Sequence, residues 1–570
     1  MRGYFPKELP PAFSSEQFAQ YATSKTGRLA LSQYKAADSF TECIKYYLAL
    51  PGGTPRELGI PHPYSFAQLA ALTAKHFSRL LTKAARSPFS RSRPVYASNR
   101  QRAIYPMAKP SNLSKERAAS RASGSFLLKA DVSQFYPSLY THAVGWAIDP
   151  KLRLRQHWQN KKLLGKKLDQ ALMDANGKIS QGIPIGNDIS FLLAESVLAQ
   201  VDRSLSVQRA YRWFDDYEIV FDTREQAEAV MAQLRIELDR FQLRLNPVKT
   251  KILQLPEPTQ DEWHEGLFQA SRIKFTNPYQ MVNYFDVAFR YRQQFPETAV
   301  LLYALGILFK VKCPKDEVGQ IAQSCITQAL LCEAGAAQKA FALLSFWRLN
   351  GFSLNKELLK TAIGLMITRH RARGASSDVA WALSFCLQEK ISLDKRVGRV
   401  LSDFDDDCIL LQALHMRAEG LLPSGFNTKR ISKMLNAADL DREHWLIAYE
   451  TVRYGFLKES EVAVKANPLF SDLLASNVSF YRTQLPDYAL VLHPGGAPEW
   501  LKGDWLDLLR NPKRATERGE KKAELPVLLE AMEKALARLK PDLGRDEALE
   551  GLMTVPTEAP EMEMDQSYPI

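Results

Sequence analysis

Two stretches of the chain decide its fold: residues 126–137 (FLLKADVSQFYP) and residues 210–221 (AYRWFDDYEIVF). Each is rich in aliphatic, aromatic and β-branched residues, which favour strands. The first stretch ends its apolar run at Asp131, and the second places Asp215 and Asp216 between two β-type halves, as in a hairpin turn. Adjacent aspartates repel each other unless cations neutralise them. The pattern therefore predicts strands that carry three carboxylates close to a cation site.

A pair of aspartates is also common in exposed turns, so its context must decide between the two interpretations. Residues 404–407 (FDDD) offer a comparison within the chain. They lie between helical segments, where acidic residues cap and stabilise a helix N-terminus. Asp215 and Asp216 lie between strands instead, which favours a site for two divalent ions that drive in-line phosphoryl transfer. Oxygen ligands and substrate phosphates together favour Mg²⁺.

The segments around these aspartates predict a ferredoxin-like arrangement. Either Asn187 or Asp188 is expected to cap a helix over 189–205, and Thr223 begins a capping box that opens a second helix. A further strand is predicted near 251–255. Strand, helix, hairpin, helix and strand is the order of a ferredoxin-like sheet.

The rest of the chain has other secondary-structure patterns. Residues 1–70 mix short helical patterns with Pro/Gly loops, whereas residues 271–500 consist of apolar segments with a helical period. In the latter, Leu-Ser-Phe at 344–346 recurs at 383–385, an offset that suits HEAT-like helical pairs. The last thirty residues are rich in Glu, Pro and Met and predict a flexible acidic tail.

The positive charge of the chain is concentrated in one region. The 570 residues carry 75 Lys+Arg against 63 Asp+Glu, a net charge of +12. Residues 71–130 alone hold thirteen Lys/Arg and a single acid, Glu116, and seven more cations follow between Lys151 and Lys167. Such a stripe binds nucleic acid through its phosphates, without base specificity.

Bulk features exclude several other classes of protein. The six cysteines form no CxxC pair and have no histidine at metal-ligand spacing, which argues against a zinc site or a disulfide framework and fits a reducing cytoplasm. The N-terminus has no apolar signal core, and the longest apolar run, residues 299–309, is too short to span a bilayer. We therefore expect a cytoplasmic protein that does not enter membranes.

Taken in order, the motifs resemble those of reverse transcriptases. DVSQFYP at 131–137 resembles motif A, QGIPIGND at 181–188 motif B, WFDD at 213–216 motif C and NPVK at 246–249 motif D. The motif sequences are most similar to those of bacterial defence-associated reverse transcriptases of the abortive-infection (AbiK-like) type. The resemblance covers about residues 95–255.

The resemblance implies a set of site residues. Asp131, Asp215 and Asp216 would be catalytic and would bind two Mg²⁺ ions, assisted by the backbone carbonyl of Val132. Tyr136 matches the steric gate that excludes a ribose 2′-OH, so the implied substrates are dNTPs. The remaining residues implied for nucleotide binding are Gln181, Gly182, Lys249 and Arg102, with Lys109 as a further finger-domain cation.

The chain also departs from retroviral and intron enzymes. Gly186-Asn187 replaces the usual Ser-Pro after motif B, and Phe214 replaces a small residue before the aspartate pair. Both changes lie near the template or primer path. By resemblance, synthesis would be template-independent and primed by a protein tyrosine, although the sequence does not say which of the 21 tyrosines would serve.

The sequence thus predicts an α+β fold: reverse-transcriptase-like fingers and a ferredoxin-like palm over 1–270, an all-α HEAT-like repeat domain over 271–510, and a C-terminal helix with an acidic tail over 511–570. The predicted function is DNA polymerisation in antiphage defence, by a homo-oligomer that contacts dNTPs and a DNA product. Two alternatives remain open. One is DNA synthesis templated by a partner non-coding RNA, and the other is a catalytically silent nucleic-acid-binding protein.

Overall fold

The computed structural model describes most of the first 484 residues. It covers 2–484 except for short gaps at 37–39, 98–101, 109–111, 273–274, 312, 315, 423 and 437–439. Lys109, the end of the predicted repeat domain and the whole of the predicted helix and tail at 511–570 lie outside these residues.

The amino-terminal part combines helices with two β-hairpins. The sequence indicated the helices but not the hairpins, because each hairpin strand is only three to five residues long. The loop of the first hairpin contains the expected Pro/Gly turn at Pro51–Gly53. The elements are α1 (Glu16–Thr23), α2 (Lys25–Gln33), β1 (Ile44–Leu48), β2 (Arg56–Ile60), α3 (Pro63–Lys75), α4 (Phe77–Ala84), β3 (Pro94–Tyr96), β4 (Ile104–Pro106) and α5 (Leu113–Arg121).

A four-stranded antiparallel sheet follows, and its strand order is β6-β7-β5-β8. This is the predicted ferredoxin-like arrangement, with the first strand in the centre and helices in the connections that join β5 to β6 and β7 to β8. Its elements are β5 (Phe126–Asp131), α6 (Phe135–Ser138), α7 (Thr141–Ile148), a 3₁₀ turn (Pro150–Arg153), α8 (Leu164–Asp174), α9 (Asp188–Ser204), β6 (Ala210–Trp213), β7 (Asp216–Phe221), α10 (Arg224–Asp239) and β8 (Lys251–Gln254).

Local sequence signals explain where these helices begin. Asn187 caps α9 by accepting a hydrogen bond from the Ser190 amide (2.9 Å). Asp188 is therefore not the capping residue. Thr223 forms the expected capping box at the start of α10. The acidic run used for comparison behaves as predicted, since Asp406 caps a helix by accepting from the Ile409 amide (3.1 Å).

The carboxyl-terminal part of the described chain is helical. From α12 to α18 the even-numbered helices pack on one another in succession, and from α11 to α21 the odd-numbered helices do the same. The helices thus form two layers, and the Leu-Ser-Phe repeat falls in neighbouring helices of one layer, α15 and α17. The elements are α11 (Glu262–Ser271), α12 (Pro278–Gln294), α13 (Val300–Leu308), α14 (Asp316–Cys332), α15 (Ala337–Leu349), α16 (Lys356–Arg373), α17 (Ser377–Glu389), α18 (Lys395–Ser402), α19 (Asp407–Ala418), α20 (Lys429–Asn436), α21 (Trp445–Tyr454), α22 (Glu461–Ala466) and α23 (Pro468–Ala475).

The two ends of the described chain are joined. Phe13 forms an antiparallel β-bridge with Tyr481, and the Arg482 guanidinium donates to the Ser14 hydroxyl (2.9 Å) across 468 residues of sequence. The ring of Phe480 lies 5.3 Å from that of Phe18 in α1. Apolar side chains from both ends therefore share one core.

Membrane insertion has no support in the helices that the structure describes. Among residues 2–484, outside the gaps given above, none of the helices combines the length and the hydropathy that a bilayer span requires.

Candidate active site

Three aspartates meet at one end of the sheet because of the way in which its strands pair. β5 and β7 are antiparallel, with Asp131 directly opposite Asp216. The Val132 amide donates to the Asp215 carbonyl (3.3 Å), which extends the pairing beyond β5. A hydrogen bond links the carboxyl groups of Asp131 and Asp216. The structure thus brings together all four residues that were predicted to bind metal.

Asp215 lies in the hairpin turn between β6 and β7. Trp213 is paired with Asp216, so Phe214 and Asp215 form a two-residue loop. Phe214 has a positive φ of 51°, a conformation in which glycine is the usual residue. Its ring packs in a buried cluster with Leu113, Tyr211 and Trp213. The bulky residue before the aspartate pair therefore faces a core.

The crowding of the carboxyls changes their proton affinities. Burial raises the pKa of Asp215 to about 6, and the charge of Asp131 adds to the effect. Burial also raises the pKa of Asp216 well above its usual value, with further contributions from Asp215 and Asp131. The Lys249 ammonium acts in the opposite direction on both groups. The Arg56 guanidinium also lowers the pKa of Asp215, but these cations do not offset the effect of burial and of the neighbouring carboxyls.

The donor set fits Mg²⁺ by its chemistry. Carboxylate and backbone carbonyl oxygens are the ligands that this hard cation prefers, and a cation would relieve the repulsion between Asp215, Asp216 and Asp131. Within the described part of the chain, no three His, Cys, Asp or Glu side chains already converge on one point at metal-binding distance. The aspartates are neighbours at a strand end, and Asp131, Asp215 and Asp216 are the residues that would hold the metal.

The segment after α10 is attached to the first aspartate. The Asn246 amide donates to the Asp131 carbonyl (2.7 Å), and its side-chain Nδ2 donates to Asp131 Oδ2 (3.0 Å). The Lys249 Nζ lies 3.6 Å from Asp131 Oδ1, and its side chain is 42% exposed. Lys249 therefore stands beside the carboxyl cluster with access to solvent, while Asn246 fixes the orientation of Asp131. This role of Asn246 was not predicted.

The glycine-rich loop before α9 contacts the helix that carries Tyr136. The Gly182 amide donates to the Leu139 carbonyl (3.1 Å), and the Ile183 amide donates to the Tyr136 carbonyl (3.2 Å). Gly182 has a φ of +85°, and a Cβ there would lie 3.2 Å from the Pro137 carbonyl oxygen. Gln181 forms an isolated bridge with Tyr140. The structure therefore places Gln181 and Gly182 next to the helix that carries Tyr136, and their role in nucleotide binding stays a prediction.

Arg102 is engaged by the same loop. Its guanidinium donates to Asp188 Oδ1 (2.6 Å), to the Gly186 carbonyl (2.9 Å) and to the Phe5 carbonyl (3.3 Å). Asp188 in turn accepts from the amides of Ala103 (2.8 Å) and Ile104. Arg102 thus joins the β3–β4 hairpin, the loop before α9 and the N-terminal residues. Its role as a nucleotide ligand stays a prediction.

A wholly buried arginine lies beneath the hairpin. Arg212 on β6 has no exposed side-chain surface and forms ion pairs with Glu195 (3.0 Å) and Asp202 (2.8 Å) of α9. Burial lowers the pKa of Arg212, but the charges of Asp202 and Glu195 raise it by more, so the guanidinium remains charged. The sequence gives no sign of this cluster, because the arginine alternates with aromatic residues in an ordinary strand pattern.

The basic stretch is less positive in space than along the sequence. Arg100 and Lys109 lie outside the described residues, and five of the other eleven cations form ion pairs with acids, most of which come from later in the chain. These pairs are Arg79–Asp149, Arg91–Glu116, Arg102–Asp188, Arg117–Glu218 and Arg121–Glu218.

The second group of cations is more open to solvent. Five of its seven members lie in the loop at 151–163, before α8. Arg153 and Arg155 are exposed there, and Trp158 and Leu154 are 59% and 52% exposed. Exposed aromatic and basic side chains together suit single-stranded nucleic acid, since bases stack on the rings while cations contact phosphates.

A comparison with known protein families gives a match over the part of the chain that contains this site. Residues 68–277 match the family model described as reverse transcriptase (RNA-dependent DNA polymerase). The matched range contains every predicted site residue, from Arg102 to Lys249. No curated protein sequence matches the chain significantly.

Among solved structures, the chain is similar to apo telomerase from Candida tropicalis, with 11% identity and a TM-score of 0.29 over 69% of this chain and 72% of that one. It is also similar to telomerase from Candida albicans in complex with a TWJ fragment of telomeric RNA, with 11% identity and a TM-score of 0.26 over 69% of this chain and 66% of that one. At these scores neither likeness carries an argument about the fold or the function.

Proposed function

We propose that the reverse transcriptase domain at residues 68–277 is an active nucleotidyltransferase that polymerises dNTPs into DNA. The observation that carries this proposal is the pairing of β5 with β7, which places Asp131 opposite Asp216 with Asp215 in the adjoining turn. Three carboxyl groups meet at a strand end, and burial together with the neighbouring carboxyls raises the pKa of two of them, Asp215 and Asp216; this arrangement suits the binding of two Mg²⁺ ions. Bound there, the ions would stabilise charge on the attacking and leaving oxygens.

The reaction is an in-line displacement at phosphorus. A hydroxyl oxygen attacks the α-phosphate of a dNTP, a new P–O bond forms, the bond to the β-phosphate oxygen breaks, and pyrophosphate leaves while the hydroxyl proton is lost. Lys249, beside Asp131 and half exposed, is placed to contact the triphosphate or to protonate the leaving pyrophosphate. Tyr136, Gln181 and Gly182 would bind the sugar and base of the dNTP, and Arg102 would hold the loop that presents them.

We further propose that synthesis is template-independent and begins on a tyrosine hydroxyl. Support comes from the motif resemblance to AbiK-like enzymes, which includes the two departures from retroviral and intron enzymes, Phe214 and Gly186-Asn187. In the part of the chain that the structure describes, Tyr279 and Tyr96 are the tyrosines with more than half of their surface exposed (79% and 51%). Their phenylalanine variants are the first to test.

RNA-templated synthesis is the second candidate function. The description of the matching family as an RNA-dependent DNA polymerase favours it. In that case the exposed cations and Trp158 of the 151–163 loop would bind the template.

The cellular setting is also proposed from the motif resemblance. We place the enzyme in the cytoplasm, in antiphage defence, as a homo-oligomer. Residues 1–270 would form fingers and palm, residues 271–510 a HEAT-like repeat domain that assists assembly or forms a product channel, and residues 511–570 a helix with an acidic tail.

The central experiment uses purified protein with labelled dNTPs and Mg²⁺. Polymer should form with the wild type and should fall below detection in the Asp215→Asn/Asp216→Asn double variant. Absence of polymer with the wild type, both without template and with co-purifying RNA, contradicts the proposal and leaves the binding-protein alternative.

Denaturing gels then separate the modes of synthesis. Label that stays on the protein after nuclease treatment, and that is lost in one tyrosine-to-phenylalanine variant, supports protein priming. A product complementary to one co-purified RNA supports templated synthesis instead. Loss of phage protection in the double variant, with unchanged protein levels, tests the proposed role in defence.

A further inference from the structure

The turn that carries Asp215 needs outside support. Phe214, its first residue, has a φ of +51°, although an aromatic side chain disfavours this conformation and glycine is usual there. The packing of its ring holds the side chain but does not fix the two peptide planes on either side of the residue. The second of these planes leads directly into Asp215.

Hydrogen bonds from two buried side chains fix both planes. The Phe214 amide donates to the Ser92 hydroxyl (2.8 Å). The Phe214 carbonyl accepts from Arg212 Nη1 (2.6 Å). Ser92 reaches the turn because residues 89–91 run beside β6, where the Arg91 amide donates to the Arg212 carbonyl (2.8 Å).

The orientation of the Arg212 guanidinium is fixed by hydrogen bonds from all of its nitrogens. Its Nη1 and Nη2 donate to the two oxygens of Glu195 (3.0 and 3.1 Å). Its Nε donates to Asp202 (2.9 Å), and Nη2 also contacts Asp202 (2.8 Å). With the bond to the Phe214 carbonyl, all five N–H donors of the guanidinium have partners. A lysine, with three donors and no planar fork, cannot reproduce this set.

The two supports are also tied to each other. The Ser92 hydroxyl donates to Glu195 Oε1 (2.7 Å), the same carboxylate that holds Arg212. The Tyr217 hydroxyl donates to Asp202 (2.9 Å). Helix α9, strands β6 and β7 and the segment before β3 thus share one buried polar network, and two of its hydrogen bonds end on the turn.

We propose that Arg212 and Ser92 are positioning residues for the metal-binding carboxylates: their hydrogen bonds to Phe214 hold the hairpin turn so that Asp215 and Asp216 face Asp131. Neither residue touches substrate. Their effect is transmitted through the Phe214–Asp215 peptide. The proposal rests on the proposed function only in assigning a metal to the carboxylates.

Such support matters because a hard cation such as Mg²⁺ tolerates little misplacement of its ligands. A shift of about 1 Å at a reacting centre costs on the order of 100-fold in rate. A turn whose peptide can rotate would leave the fold intact while moving Asp215 by such a distance.

The first test measures metal binding, which does not depend on polymerisation. Mn²⁺ is titrated into wild type, Arg212→Lys and Ser92→Ala, and the free ion is followed by electron paramagnetic resonance. We expect each variant to bind Mn²⁺ about five- to tenfold more weakly. In polymerase assays we expect kcat to fall by about 100-fold for Arg212→Lys, with a higher Mg²⁺ requirement and a KM for dNTP within about threefold of wild type.

Matched variants separate positioning from general destabilisation. Arg292→Lys alters a partly buried ion pair in the helical region, in which the arginine is 18% exposed and lies 3.4 Å from the buried Glu333. Ser196→Ala removes a fully buried hydroxyl from α9 that bonds the Leu192 carbonyl (2.8 Å). Both should change the unfolding midpoint without changing Mn²⁺ affinity. Equal Mn²⁺ affinities for wild type, Arg212→Lys and Ser92→Ala would overturn the proposal.

A rescue experiment covers the case in which Arg212→Lys does not fold. Glycine adopts a positive φ without strain, so Phe214→Gly in the Ser92→Ala background should recover about tenfold in activity or Mn²⁺ affinity. Since the Phe214 ring leaves its core cluster, the same change should lower the unfolding midpoint. Activity and stability moving together in the double variant contradict the proposal. If the wild type binds Mn²⁺ but forms no polymer, the proposed function fails and the positioning role is still decided by the metal titrations.

Discussion

Replacing Asp215 by asparagine should make the metal-free protein more stable. The folded-state pKa of Asp215 is about 6 against an ordinary 3.8, because burial and Asp131 penalise its charge. A shift of this size corresponds to about 3 kcal/mol. Since neighbouring groups share the penalty, we expect a gain of roughly 1–3 kcal/mol in the free energy of unfolding at pH 7.5.

The gain in stability of Asp215→Asn should depend on pH, because it comes from the raised pKa of Asp215. A carboxyl whose folded pKa is raised binds its proton more tightly in the folded chain than in the unfolded chain, so stability falls as pH rises from about 4 to about 6. The advantage of Asp215→Asn should therefore be close to zero at pH 4 and reach its full value above pH 6.5.

Metal should remove or reverse the difference. Mg²⁺ at about 100 times its dissociation constant stabilises the wild type by about 2.7 kcal/mol, and the variant lacks one of the charged ligands. Urea unfolding followed by fluorescence, at pH 4.5 and 7.5 and with chelator or Mg²⁺, measures all four conditions. Asp222→Asn is the control, because Asp222 follows the same strand but is 64% exposed. A variant that is less stable than wild type in chelator at pH 7.5 refutes the reasoning.

Three further predictions concern single residues. Lys249→Met should lower kcat by about 100-fold, because the ammonium 3.6 Å from Asp131 is lost; single-turnover kinetics with labelled dNTP measure this. Gly182→Ala should cost about 1–2 kcal/mol of stability and raise the KM for dNTP, because residue 182 has a φ of +85°; urea unfolding and steady-state kinetics measure the two effects. His444→Gln should destabilise the protein at pH 6 and have little effect at pH 10. Burial lowers the pKa of His444, but its bond to Asp407 raises it to about 9 overall. The stabilisation by charged His444 is therefore complete below pH 6.5 and is lost as pH rises through 9. Thermal unfolding measured across this pH range tests it.

Each of these has an internal comparison. Lys251→Met removes an exposed lysine from β8 and should leave kcat unchanged. Gly374→Ala imposes a similar strain (φ +66°) far from the loop, with no atom within 4 Å of the new Cβ, and should affect stability alone. A His444→Gln effect that is the same at pH 6 and pH 10 contradicts a charged His444, and full activity of Lys249→Met contradicts a role for Lys249 in the reaction.

The site aspartates could be found from sequence because their signal is local. Asp131 ends an apolar run, and Asp215 and Asp216 interrupt another, so the strands and the turn follow from neighbouring residues alone. Capping by Asn187 and Thr223 was predictable for the same reason, since the cap and the amides that it satisfies lie within three residues of each other.

The supports of the site were not predictable because their partners are distant in sequence. Arg212 looks like any alternating strand residue until α9 supplies Glu195 and Asp202. Likewise, a run of basic residues cannot reveal which cations meet acids from elsewhere. Asp188, considered beforehand only as a cap, instead neutralises Arg102.

The junction of the two chain ends has a consequence for biosynthesis. Phe13 pairs with Tyr481, and the core around Phe18 includes Phe480, so the first helices cannot complete their packing until the ribosome has passed residue 482. At about 5–20 residues per second, the interval between the synthesis of Ser14 and that of Arg482, 468 residues later, is roughly 25–95 s. During this interval the aromatic side chains near the N-terminus lack the C-terminal residues against which they pack. The protein would acquire the fold of its described residues only when nearly all of them have been translated, and a truncated messenger would yield fragments that expose this surface to chaperones and proteases.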